Sequence, residues 1–205
     1  MRWHYSRSMP VGRTVKVGVW WGGVFKGSVV FARACRTQHV AFGLKVEEVC
    51  ELVRVALDKH EGFHVTEVVA RAIRMLKQRC PGLRLIVSFA DPAEGHVGRI
   101  YQAGNWIYTG ESAAARMLVQ GKRKLHRRAY TGVNFSVNPR VKVPLGASWV
   151  TVPGKHRYFM PLDKRMRRQL ESLRLPYPAV AAKAGLAPSE PGGATPTRPL
   201  SPGAT

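Results

Sequence analysis

Residues 47–57 read EEVCELVRVAL, and the fold turns on how they are taken. Val49, Leu52, Val53, Ala56 and Leu57 fall on one stripe of a helix, yet the valine content favours a strand, so periodicity leaves both readings open. The flanking segments are clearer. TEVVARAIRMLKQRCPG (66–82) is an amphipathic helix with Val69, Ala72, Ile73 and Leu76 on one face and Arg71, Arg74 and Lys77 on the other. Thr66 is its expected N-cap and Pro81-Gly82 its stop. LRLIVSF (83–89) follows as a buried strand, which puts Ser88 and Asp91 at a strand's C-terminal end, where chains open onto clefts.

Upstream, VKVGVW and SVVFARA flank the paired glycines of WGGVFKG, the pattern of a β-hairpin over 15–34. Downstream, GRIYQAG and NWIYTGES read as two short aromatic strands around Gly104 and Asn105. KHRYFMPLDKRMRRQL (155–170) reads as a strand running into a basic, partly helical end. The alternation of periods predicts one mixed domain over residues 1–175. The proline- and glycine-rich remainder, 176–205, has little to bury and is expected to be a disordered tail.

Lys and Arg number 33 against 12 Asp and Glu, for a formal charge of +21 in 205 residues. Such an excess points to a polyanionic partner, although charge alone does not choose between DNA, RNA and a membrane surface. Cys35, Cys50 and Cys80 form no Cys-x-x-Cys pair, which speaks for a reducing compartment and against a zinc site. MRWHYS lacks a signal-peptide core, and the glycine-broken VGVWWGGVF is too short to span a bilayer. These features predict a soluble, cytoplasmic protein without a membrane partner.

The densest chemistry lies in SFADPAEGHVGRIYQAGNWIYTG (88–110), whose mix of polar and aromatic groups suits a pocket wall. Ser88, Asp91 and His96 lack the frame of a serine hydrolase. Asp91 is better read as a general base or as the orienter of His96, or simply as a turn-former before Pro92. Tyr101, Trp106 and Tyr108 offer faces on which an extruded base could stack, or else core packing. His4 and Tyr5 are unusually rich chemistry for a terminus, and Arg54 in its apolar run needs a partner for its charge. Two basic runs, Lys122, Arg123, Lys124, Arg127 and Arg128 in one and Lys164, Arg165, Arg167 and Arg168 in the other, are candidate phosphate contacts.

Taken together, HYS at 4–6, ELVR at 51–54, SFAD at 88–91, GHVGRIYQAGNWIYTG at 95–110 and KHRYFM at 155–160 resemble, in order and spacing, the Mom proteins of Mu-like phages. The resemblance runs over roughly residues 3–165. It implies a GNAT-like α/β (α+β) fold with a largely antiparallel central sheet flanked by helices, which favours a strand at 50–57. It implies a transferase that converts adenine in double-stranded DNA to its N6-carbamoylmethyl (acetamido) form and so shields phage DNA from restriction. His4, Tyr5, Arg54, Ser88, Asp91, Tyr101, Gln102, Asn105 and Tyr108 fall on its motif positions. The donor is left open. A GNAT enzyme holds the CoA pyrophosphate on a glycine-rich turn, whereas DKHEGFHVT (58–66) has only Gly62, so acetyl-CoA, another activated glycyl or acetyl donor, and a metal requirement all stand as alternatives. Two other functions compete: an N-acetyltransferase for a small amine or protein, and a DNA-binding protein without catalysis.

Overall fold

The structure, a computed structural model, describes residues 13–34, 36–58, 62–121, 123–125 and 143–179. His4, Tyr5, Lys122, Arg127, Arg128 and the chain after 179 lie outside the described residues, as do the side chains of Arg123 and Lys124.

The hairpin expected at 15–34 is present as β1 (Thr14–Trp21) and β2 (Val24–Arg33). Gly22 and Gly23 both have positive φ, 55° and 76°, as a two-residue turn matched to strand twist requires. After α1 (Arg36–Ala41), the ambiguous stretch is strand β3 (Val49–Leu57). Its burial alternates, with Leu52, Arg54 and Ala56 buried and their neighbours half-buried, as successive side chains of a strand point to opposite faces. Helix α2 (Val65–Arg79) buries Val69, Ala72 and Leu76; its N-cap is His64, not Thr66, which sits inside the first turn. Strand β4 (Leu85–Ala90) is buried almost throughout.

GRIYQAG departs from expectation. Residues Arg99–Ala103 form a short helix, α3, and only the second segment is a strand, β5 (Ile107–Glu111). Between them Asn105, at φ 57°, is the only non-glycine residue with positive φ among the described residues. Asparagine tolerates that left-handed conformation, and it lets the chain reverse from helix to strand. An antiparallel three-stranded sheet then intervenes, β6 (Ala115–Gln120), β7 (Arg123–Leu125) and β8 (Ala147–Val152), before β9 (His156–Pro161) and α4 (Lys164–Glu171).

The main sheet has the order β1-β2-β3-β4-β9-β5, with β3–β4 its only parallel pairing among the described residues. One face packs α2 and α3 over Phe31, Leu52, Ile86, Tyr101, Trp106 and Tyr158. The other packs Met166 and Leu170 of α4 over Leu85, Val87, Ile107 and Phe159. Past α4 the chain returns along β5: Leu175 N donates to Tyr108 O at 2.9 Å, and the Tyr177 hydroxyl donates to Trp106 O at 2.6 Å. Tyr177, assigned above to the tail, is therefore docked on the core.

Asp163 caps α4 by accepting from Met166 N at 2.8 Å and takes Arg84 Nε at 2.7 Å. The Arg84 hydrogen bond holds its carboxyl below the ordinary value of 3.8. A depressed folded-state pKa gives stability that is present above about pH 4 and lost as pH falls through the lowered value. Asp163→Asn, which keeps the cap but not the charge, should lower the melting temperature near neutrality, with the gap to wild type closing in thermal scans taken progressively below pH 4.

Candidate active site

Strands β3 and β4 pair over only three positions, Val49↔Leu85, Cys50↔Ile86 and Glu51↔Val87. At that point β3 carries a bulge: Val30 and Phe31 of β2 face Arg54 and Leu52, leaving Val53 as the extra residue. The bulge bends β3 away, and the two strands fork. The separation would strand the Leu52 carbonyl, and Ser88 answers it, its Oγ donating to Leu52 O at 2.7 Å. With its one proton committed there, Ser88 Oγ accepts from the Tyr101 hydroxyl at 2.7 Å. Ser88 is fully buried and is not among the residues that line the cavity beyond it.

Within the fork lies a cavity of about 530 Å³, lined by Val53, Arg54 and Val55 from β3, Phe89 and Ala90 from β4, the 91–98 loop and α3 through Tyr101. Its size is that of a small-molecule or nucleobase site. The loop is shaped by its sequence. Asp91 Oδ1 accepts from Ala93 N at 3.1 Å and caps the 3-10 turn Pro92–Glu94, which Gly95 ends at φ 70°. His96 N then bonds Asp91 O at 3.1 Å, so Asp91 sets the path of the histidine's backbone. Asp91 Oδ2 also takes Lys155 Nζ at 2.9 Å. Gly98, at φ 76°, lies flat on the Tyr158 ring, where any Cβ would collide.

A layer of buried tyrosines supports this loop. Tyr158 donates to Val97 O at 2.6 Å, and Gln102 Nε2 donates to the same carbonyl at 2.8 Å and to Tyr158 Oη at 3.3 Å. Ring centroids lie 5.0 Å apart for Tyr101 and Tyr158, and 5.2 Å for Tyr108 and Tyr158. Burial pushes the Tyr158 and Tyr108 phenols above their ordinary pKa, with Glu111 adding to the rise at Tyr108. Both remain neutral hydrogen-bonding groups at physiological pH. Tyr108 Oη sits 3.2 Å from His156 Nδ1, which is also 3.4 Å from Glu111.

Of the predicted pocket residues, Arg54, Asp91, His96 and Tyr101 come together on the cavity wall. Ser88, Gln102 and Tyr108 lie in the hydrogen-bonded layer around it. Asn105 is the turn residue described above. For Trp106 the structure decides against base stacking and for the alternative of core packing: it is 1% exposed and packed on Tyr101 at 5.1 Å. Lys155 and Tyr158 were not singled out as site residues, although both stand in the KHRYFM segment. Only the fold brings them under the 91–98 loop.

The basic runs separate. Gly121 starts the turn into β7, so Arg123 and Lys124 belong to the inserted sheet, while Lys122 and residues 126–128 lie outside the described residues. That insert is rooted where Ser112 N meets Lys155 O at 2.9 Å, beside the Lys155–Asp91 pair at the cavity rim. α4 begins next to Arg84, at the opposite end of β4, and covers the sheet face away from α2 and α3. Its exposed cations therefore do not share the cavity's surroundings. Among the described residues no three His, Cys, Asp or Glu side chains cluster as a metal site would need, and no helix is long and apolar enough to cross a membrane.

The fold is thus a mixed, mostly antiparallel sheet flanked by helices and opened around a cavity. The chain belongs to the Mom protein family, whose model matches residues 1–179. Among solved structures it is similar to a putative acetyltransferase from Salmonella typhimurium with its cofactor acetyl-CoA, at 17% identity and a TM-score of 0.39. That likeness covers 71% of this chain and 62%, less than two thirds, of the other. No curated protein matches.

Ser88→Ala should leave the Leu52 carbonyl and the Tyr101 hydroxyl short of a buried partner and destabilise the fold by about 1–3 kcal/mol. Chemical denaturation measures it, and an unchanged midpoint would mean that the fork closes without Ser88.

Proposed function

We propose that this protein is a DNA-modifying transferase that converts adenine to its N6-carbamoylmethyl (acetamido) form in double-stranded DNA and thereby protects phage DNA from restriction. The observation that carries the reading is the family match over residues 1–179, joined to a fork cavity that gathers Arg54, Asp91, His96 and Tyr101 from the motifs behind the resemblance. A charge of +21 suits a polyanion, and the family reading makes duplex DNA that partner. Phage DNA in a host cell puts the work in the host cytoplasm.

With an activated glycyl donor the atoms balance in two stages. N6 attacks the carbonyl, the leaving group departs with its electron pair and N6 loses one proton; the resulting N6-glycyl group, which has the same atoms as carbamoylmethyl, then isomerises to it. An acetyl donor would need a separate source of the amide nitrogen. Of the described lining residues Asp91 is the only carboxylate and His96 the only imidazole, so these two are the candidates to receive that proton. Arg54 supplies fixed positive charge for an anionic part of the donor or for charge developing in the transition state. Tyr101, held by Ser88, is placed to orient the base or the donor. His4 and Tyr5 belong to the same proposal on their motif positions alone.

The described residues do not form the pyrophosphate cradle of a CoA enzyme. Gly62 is the only glycine between β3 and α2, and Glu67 puts a carboxylate in the helix's first turn, where it opposes a bound anion. No step is assigned to CoA; the donor is an activated glycyl or acetyl species of other form, or CoA held elsewhere.

Mass spectrometry of nucleosides from plasmid DNA after expression tests the reading directly. A new adenine species is expected, and an unchanged profile would overturn it. Asp91→Asn keeps size and the 3-10 cap but removes the charge, and should lower modification about a hundredfold or more with the melting temperature held. Activity near wild type would remove Asp91 from the chemistry.

We assign the phosphate contacts chiefly to Lys122, Arg123, Lys124, Arg127 and Arg128, a run whose described part, Arg123 and Lys124, lies on the insert rooted at the cavity rim, with Lys164, Arg165, Arg167 and Arg168 of α4 as the distal set. Each lost phosphate contact makes the salt dependence of DNA affinity shallower by roughly one unit. Neutral substitutions at Arg123, Lys124, Arg127 and Arg128 should flatten the slope and weaken binding evenly across sequences, while the same treatment of α4 changes it less. Anisotropy titrations over a salt series measure both, and an unaltered slope in the first variant would return that run to a solvated face.

A further inference from the structure

The cavity reading leaves one conspicuous feature unused. At the β1–β2 turn, Trp20, Trp21, Val24 and Phe25 are 62%, 47%, 57% and 45% exposed. A contiguous group of large exposed apolar side chains commonly marks an interaction surface. The cluster is ordered. Trp20 lies back over Gly18, where any side chain would collide with its ring, and meets the Phe25 ring edge-on at 5.1 Å. Trp21 packs at 5.9 Å from Phe63, in the loop that follows β3.

Register fixes where this tip points. Gly27 pairs with Leu57, the last residue of β3, and Asp58 N donates to Lys26 O at 2.8 Å. The tip therefore runs beyond the end of β3, past the same end of the sheet at which β3 and β4 fork around the cavity. Three further residues of β2 at about 3.4 Å each carry it roughly 10 Å outward, one strand spacing of about 5 Å to the side of β3. Its charge is one-sided. From Thr14 to Arg33 the hairpin holds Lys16, Lys26 and Arg33 and not one carboxylate. A narrow, rigid aromatic tip on a purely cationic hairpin suits a polyanion whose interior is flat and apolar, which is stacked DNA.

We infer that the β1–β2 tip, led by Trp20 and Trp21, is a wedge that enters a base step of duplex DNA and fills the gap left when the target adenine turns out of the stack toward the fork cavity. The inference rests on the DNA reading above and deepens it. A cavity enclosed by the fork cannot take a base that remains stacked, so extrusion must be supported from somewhere, and apolar side chains inserted between base steps do this at modest unstacking cost. The wedge contributes stacking rather than phosphate contact, so its removal has a signature distinct from that of the basic insert.

The test uses the full-length protein, Trp20→Ala/Trp21→Ala, and Trp20→Phe/Trp21→Phe as the conservative partner. Probes are a fluorescent duplex with 2-aminopurine in place of several adenines, and the same duplex with each of those positions facing an abasic site. Wild type should raise 2-aminopurine emission. The alanine variant should bind the intact duplex about tenfold or more weakly, as loss of a base–aromatic stack predicts, with an unchanged salt slope and melting temperature. It should recover most of that loss on the abasic duplex, and the phenylalanine variant should recover on both. Wild-type affinity and emission in the alanine variant would overturn the wedge. So would an equal loss on both duplexes with a flattened salt slope, or a shift from dimer to monomer in sedimentation, which would make the tip an interface between copies. Nucleoside mass spectrometry on the same proteins keeps the two proposals apart. Unstacking without a new adenine species removes the modification reading and leaves the wedge, whereas full modification by the alanine variant removes the wedge alone.

Discussion

Everything that makes this molecule more than a covered sheet follows from the early end of one ladder. β3 and β4 stay together for three pairs and then part, because the Val53 bulge turns β3 aside. A parallel pair broken inside a core exposes backbone groups that have no water to turn to, and an unmade buried hydrogen bond costs more than a made one gains. The Ser88 hydroxyl solves this locally by accepting Tyr101 on one side and serving Leu52 on the other. One small side chain thus closes the ladder, fixes α3 through Tyr101, and leaves the space beyond it open as a cavity.

Much of that architecture was legible in the sequence where local pattern and burial agree. The α2 stripe, the Gly22-Gly23 turn and the run into α4 behind Asp163 each satisfy one requirement in one segment. EEVCELVRVAL was not legible from its own pattern, because a strand covered on both faces is apolar at a spacing a helix also satisfies, and only the family resemblance favoured the strand. GRIYQAG was misread for a related reason. Its aromatics have the composition of a strand, but Tyr101 must reach Ser88 and Gln102 must reach Val97, and a helical turn is what points both inward.

The site divides along the same line. Asp91 and His96 could be found because a turn-forming Asp-Pro and a flanked histidine stand out in sequence. Lys155 and Tyr158 could not be assigned there, since nothing local says that β9 returns between β4 and β5 to lie under the 91–98 loop. The aromatics show the limit most sharply. Trp106 and Trp20 are the same residue type, each beside glycine and another aromatic, yet one is sealed in the core and the other is the most exposed tryptophan on the hairpin. Residue chemistry names what a side chain can do, and only register decides whether it meets water.

Charge obeys the same rule. A surplus of positive residues draws the whole molecule toward a polyanion but does not aim it, since the α4 cations and the insert cations contribute alike to the net field. Aim comes from the antiparallel returns. β3 and β4 finish at the fork, β2 and β9 begin there, and β5 ends there, so the aromatic tip, the 91–98 loop and the root of the inserted sheet collect at one end of the sheet. α4 starts from the other end, held by Arg84 and Asp163. One end of the sheet thus combines a cavity, apolar projections and Lys155, and under the function proposed above that combination, rather than the charge, is what would tell a distorted duplex from a uniform rod of phosphates.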